Sequence, residues 1–164
     1  MRFLFIFCFA GMSLVVPKSL GAQNRPCSAD AGPSVLVKVV GLKNRAGNVR
    51  IRLFGGDPKT YFDKRYALER IEFAVPKGGD VERCIAVPRA GAYAVDVRHD
   101  VNVNGKSDRA DGAGASGNPD VSLLDVIFKK KPPTAKVQVS VGRGVTITTI
   151  IVKYLSGGKL KPAS

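Results

Sequence analysis

Gly47-Asn-Val-Arg-Ile-Arg-Leu-Phe54 alternates apolar Val49, Ile51 and Leu53 with Arg50 and Arg52. Strand side chains point to opposite faces with period two, so this stretch predicts a strand with one dry and one wet face. Upstream, Val35-Leu-Val-Lys-Val-Val40 reads as a second strand, and Leu42-Lys-Asn-Arg-Ala-Gly47 between them carries the turn chemistry of a hairpin. Downstream, Arg70-Ile-Glu-Phe-Ala-Val75 and Val81-Glu-Arg-Cys-Ile-Ala-Val87 flank Pro76-Lys-Gly-Gly-Asp80, whose glycines are free to adopt positive φ. Ala92-Tyr-Ala-Val-Asp-Val-Arg98 is a fifth strand. Lys136-Val-Gln-Val-Ser-Val141 and Val145-Thr-Ile-Thr-Thr-Ile-Ile-Val-Lys-Tyr154 close the domain, with Gly142-Arg-Gly144 short enough for a tight hairpin. The last stretch is rich in β-branched residues, whose stiff side chains favour extended backbone. Residues 121–128 are apolar but less regular, fitting a short strand or a turn of helix, and residues 61–68 are a candidate short helix. Seven or eight short strands separated by turns predict an all-β, antiparallel β-sandwich.

The ends are of a different character. Met1-Arg2 supplies a positive start, residues 3–16 are apolar and uncharged, and Pro17-Lys18-Ser19-Leu20-Gly21-Ala22 ends in small residues. A transmembrane helix needs about 20 apolar residues, so this run suits a cleaved export signal over residues 1–22. Residues 23–33 and 156–164 are polar and rich in Gly and Pro, and read as frayed ends of a domain spanning 34–155. With the signal removed the expected location is periplasmic or extracellular, with no transmembrane span. Cys8 leaves with the signal, while Cys27 and Cys84 remain, an even count in an oxidising compartment. Paired, they would close a loop of about 58 residues, worth roughly 4 kcal/mol on the chain-entropy model.

The formal charge of +13 falls to +11 without Arg2 and Lys18. A basic surface gathers anions such as acidic envelope polymers or lipid headgroups. Specific nucleic-acid binding is not expected: the chain has no tryptophan for base stacking, and Lys129-Lys130-Lys131 runs straight into Pro132-Pro133, as a solvated turn does.

Asp100-Val-Asn102-Val-Asn104-Gly105-Lys106-Ser-Asp108-Arg-Ala-Asp111 carries the clearest chemistry. Oxygen-bearing side chains stand at loop positions one, three, five, nine and twelve, with glycine at six, a spacing that lets a short loop wrap Ca2+. Asp100, Asn102, Asn104, Asp108 and Asp111 would offer side-chain oxygens and Lys106 its main-chain carbonyl. The competing reading is an Asx-rich turn, in which these side chains cap their own backbone. The flanks are a strand and a glycine-rich stretch, so this is not a helix-loop-helix site.

Gly112-Ala-Gly114-Ala-Ser-Gly117 matches the letters of a dinucleotide fingerprint, but it follows a loop and precedes Asn118-Pro119 rather than opening a helix, so no nucleotide cofactor is expected. His99 is the only histidine, which excludes a multi-histidine zinc site.

Pro88-Arg-Ala-Gly-Ala-Tyr-Ala-Val95, running into His99-Asp100-Val-Asn102-Val-Asn104-Gly105-Lys-Ser-Asp108, resembles the exported bacterial family catalogued as domain of unknown function 2141. Its hallmark is a "G-x-Y-A-V" strand entering an "H-D-x-N-x-N-G-x-x-D" loop. The resemblance covers about residues 35–155 and implies a transthyretin-like or Ig-like Greek-key sandwich without an established activity. The family's "G-I-P-x-E" stretch is replaced here by residues 112–117. The expectation is an exported binding or structural module with a calcium-stabilised loop, meeting an envelope component or protein partner. The alternative is a hydrolase of envelope polymers, with His99 as general base beside the loop carboxylates.

Overall fold

The computed structural model describes residues 27–163, so the expected export signal lies outside the described residues. The described residues form ten strands: β1 (Ser34–Val40), β2 (Asn48–Gly55), β3 (Glu69–Ala74), β4 (Val81–Ala86), β5 (Gly91–Asp100), β6 (Gly112–Ala115), β7 (Val139–Val141), β8 (Val145–Ile151), β9 (Lys153–Ser156) and β10 (Lys159–Pro162). Two short helices, α1 (Leu123–Ile127) and α2 (Thr134–Val137), lie between β6 and β7. A three-stranded sheet runs β4-β1-β8, and a seven-stranded sheet runs β10-β9-β6-β5-β2-β3, with β7 also paired to β5.

The two sheets share one core. Val35, Val37, Ile85 and Ile150 of the small sheet pack with Val49, Ile51, Leu53, Val95 and Val97 of the large one. Each side chain buried this way contributes about 1.5–3 kcal/mol relative to exposure. Ile51 lies opposite Val97 on one side and Ile71 on the other, so the alternation read from residues 47–54 continues across three strands. A slip of one residue would turn every arginine of β2 inward, which fixes the register.

Four expectations need correcting. The pairing is not wholly antiparallel, because β1 and β8 run parallel, from Ser34 opposite Val145 to Val40 opposite Ile151. The two short connections expected as hairpins, β1–β2 and β7–β8, instead cross from one sheet to the other, as β3–β4 also does. Turn composition shows that the chain reverses, but not whether the next strand pairs with its predecessor or packs across the core. The stretch expected as one strand over 145–154 breaks at the fully buried Val152, whose N–H bonds Val40 O, and it serves the small sheet as β8 and the large sheet as β9. The basic tail is not frayed: Gly157 and Gly158, both at positive φ, turn the chain so that Lys159–Pro162 pairs with Lys153–Ser156. An Ig-like Greek key does not follow from this order.

The smaller ambiguities settle too. Residues 121–128 contain helix α1, and the 61–68 region holds a single 3-10 turn, Lys64–Tyr66, N-capped by Asp63. The glycines of 112–117 serve sheet packing. A Cβ on Gly112 would meet the Tyr154 ring and Val152, and one on Gly114 would meet Ile151 O and Ile150. Gly117 is at φ 72, with Lys136 O where a Cβ would stand.

Cys27 and Cys84 stand at disulfide distance, with Cα atoms 5.3 Å apart across a sequence separation of 57. Cys84 lies opposite Leu36 in the edge strand β4, so the pair joins the start of the described chain to the rim of the small sheet.

Candidate cation site

β5 is the axis of the large sheet, held by β2 along one side and by β6 and β7 along the other. Its last residues, Arg98-His99-Asp100, are all buried. The loop that follows folds back over Arg98. One guanidinium nitrogen, Nη1, donates to Gly105 O (3.2 Å) and Ser107 Oγ (3.4 Å), and the other, Nη2, donates to Asp100 Oδ2 (3.0 Å). The Gly105 N–H donates to the same Asp100 oxygen at 2.9 Å, which closes the turn. Gly105 is at φ 72, a conformation glycine adopts without steric cost.

Beyond Asp100 the expected ligands first satisfy one another. Asn102 Oδ1 accepts the Asn104 N–H (3.2 Å) and Asn104 Oδ1 accepts the Lys106 N–H (2.7 Å), two successive Asx turns. Both asparagine Nδ2 groups donate to Asp108 Oδ2, at 2.8 and 2.7 Å. These bonds, that from Asn102 foremost, together with the Ala110 N–H, hold the Asp108 carboxyl below its ordinary pKa. Asp111 accepts from the Val101 and Asp108 N–H groups at 3.3 and 3.4 Å and ties the loop's two ends together. Val103, exposed and β-branched, is held at φ 56, which costs on the order of 1–2 kcal/mol.

The structure therefore gathers Asn102, Asn104 and Asp108 in one cluster, joins Asp100 to it through the Gly105 turn, and spends Asp111 on the backbone. Lys106 meets the cluster through its N–H, on Asn104. Among the described residues no three His, Cys, Asp or Glu side chains surround a metal-sized point. The donors on offer are asparagine amides, carboxylates and carbonyls, which suit a hard cation such as Ca2+ and not zinc. One buried atom speaks for such a guest: Asp100 Oδ1 has no hydrogen-bond partner, although Asp100 is only 1% exposed. A buried carboxylate oxygen without a donor is costly unless a cation meets it. Charge sets the scale: Asp100, Asp108 and Asp111 are matched by Arg98, Lys106 and Arg109. With no net negative charge, the loop fits the weak end of calcium affinities.

His99 serves another purpose. It continues the inward set Tyr93, Val95, Val97 and is fully buried. Its Nε2 lies 2.7 Å from Ala46 O, which can only accept, so Nε2 carries the proton and Nδ1, 2.6 Å away, accepts from the Tyr154 hydroxyl. Tyr154 OH in turn accepts the Lys43 N–H at 3.2 Å. These bonds make His99 and Tyr154 an anchor for the β1–β2 connection. Gly47 in that connection passes so close to Asp100 O that a Cβ would lie 2.0 Å from it. A general base needs reach to a substrate proton, and these bonds give His99 none.

Burial raises the Tyr154 phenol pKa above its ordinary value. A raised folded pKa means stability that is present below the unfolded value near 10 and lost as pH climbs through the folded one. The expected result is falling stability above about pH 10, with Tyr154 ionising late in an ultraviolet titration. Tyr154→Phe should remove that part of the pH dependence.

A family model described as an uncharacterized protein conserved in bacteria, domain of unknown function 2141, matches residues 37–149. No curated protein matches the chain, and no solved structure does.

Proposed function

The chain belongs to the bacterial family of domain of unknown function 2141, and we propose that it is an exported binding or structural module whose β5–β6 loop is stabilised by calcium. Export is supported by the positive start, the apolar run of residues 3–16 and the small residues before residue 23. The cysteine pair at disulfide distance agrees with an oxidising compartment. The module meets an envelope component or a protein partner, and its basic surface favours an acidic one.

The orphan oxygen Asp100 Oδ1, at the start of a loop whose Asn102, Asn104 and Asp108 are gathered by their own hydrogen bonds, carries the calcium reading. A cation entering here would exchange the two asparagine N–H donors on Asp108 for oxygen ligation, while each asparagine Oδ1 keeps its backbone N–H and offers its second lone pair. The site is a clasp: it orders the loop without moving the sheets. With a Kd on the order of 10⁻⁴–10⁻³ M, about 10 mM calcium should stabilise the fold by roughly 1.4–2.7 kcal/mol and raise Tm by roughly 4–8 °C. Thermal unfolding with calcium and with chelator measures this. Asp108→Ala, at an exposed position, should lose most of the rise; no rise in the parent chain would overturn the reading.

A further inference from the structure

Helix α1 turns apolar side chains outward. Leu124, Ile127 and Phe128 are 63%, 60% and 76% exposed, and their spacing of three and four places them on one side of the turn. Burial does not hold them there; hydrogen bonds within the segment do. Ser122 and Asp125 form a reciprocal capping box at the start. At the end, the Lys129 N–H reaches Val126 O and the Lys130 N–H reaches Asp125 O, with Lys129 at φ 53. Lys129, Lys130 and Lys131 follow at once, all exposed. Lys131 Nζ leans on Lys59 O, which fixes the lysine collar to the 3-10 turn Pro58–Thr60 of the neighbouring loop. The segment is a small apolar tip with a cationic rim, on a chain of net charge +13.

We propose that this tip docks on an anionic phospholipid bilayer. Leu124, Ile127 and Phe128 enter the boundary between headgroups and acyl chains, and the three lysines meet lipid phosphates. Charge complementarity selects the partner, and size selects a bilayer over a protein. Three side chains fall far short of the roughly 800 Å² per partner of a stable protein interface. A bilayer deforms around a convex tip and adds about one favourable electrostatic contact per lysine. A single turn of helix cannot span, so the attachment is peripheral and reversible.

The chain has no tryptophan, so Phe128→Trp introduces a unique fluorophore at the tip. Ile147→Trp, 60% exposed on the small sheet, is the control. Both are placed on the chain from residue 23, which retains every described residue, and mixed with vesicles of phosphatidylglycerol and phosphatidylcholine or of phosphatidylcholine alone. The expected result is a blue shift at position 128 on anionic vesicles only, with none at position 147. Replacing Lys129, Lys130 and Lys131 by Gln should weaken vesicle binding on the order of 100-fold. Leu124→Ser with Ile127→Ser should weaken it at least about tenfold; both positions are exposed, and circular dichroism checks the fold. No shift at 128, equal shifts at 128 and 147, or the same shift on soluble polyphosphate would overturn the proposal.

Discussion

Asp100→Ala should destabilise the chain by about 3–5 kcal/mol, because it leaves a buried guanidinium without its carboxylate. The Arg98 and Asp100 side chains are 7% and 2% exposed, and among the described residues Asp100 is the acid that pairs with Arg98. The same substitution frees the Gly105 N–H, so the loop loses its turn as well as its charge balance. Asp100→Asn, which keeps an acceptor for both donors, should fall between. Arg98→Met combined with Asp100→Leu should cost less than Asp100→Ala alone, since neither charge is then stranded. Urea unfolding of the four chains decides this: a double variant as unstable as Asp100→Ala would show that the cost lies in the loop's shape and not in the unpaired charge.

Losing the covalent link between Cys27 and Cys84 should cost nearly as much. Freeing a loop of 57 positions removes about 4 kcal/mol on the chain-entropy model. The loss should appear as a lower urea midpoint for the Cys27→Ala/Cys84→Ala chain and, equally, for the reduced parent chain. The small sheet should suffer first, because the link ends in its edge strand β4, which pairs on one side only. In hydrogen exchange, amides of β4 should lose protection before those of β2. Identical midpoints for oxidised and reduced protein would contradict the link.

The alternation in residues 47–54 made the sandwich legible, because period two is a property of single strands. Which strands pair was not legible. Tight connections at Leu42–Gly47 and Gly142–Gly144 carry the same residues whether they close a hairpin or arch across the core, and here they arch. Val152 shows the limit most clearly: nothing in an unbroken β-branched run marks where the chain changes sheets. At the site, the spacing from Asp100 to Asp111 correctly located a loop organised by its own oxygens. It could not show that Asp111 would be consumed by the Val101 and Asp108 amides, or that Arg98 would lie beneath as a built-in cation. A signal for the second was present: Arg98 stands two residues before Asp100 on one face of β5. The same parity places His99 with Tyr93, Val95 and Val97, which is the sequence reason it faces the core and has no access to a substrate.

Calcium titration followed by backbone amide resonances tests cation binding at the loop itself. The Gly105 N–H points at the Asp100 carboxylate, so its resonance reports on that group directly. Saturable shifts are expected at Gly105, Lys106 and Asp108 in the range of about 0.1–1 mM calcium, with β1 and β4 unmoved. Shifts that grow linearly to about 10 mM, or that favour the chain's acidic residues outside 100–111, would contradict cation binding there.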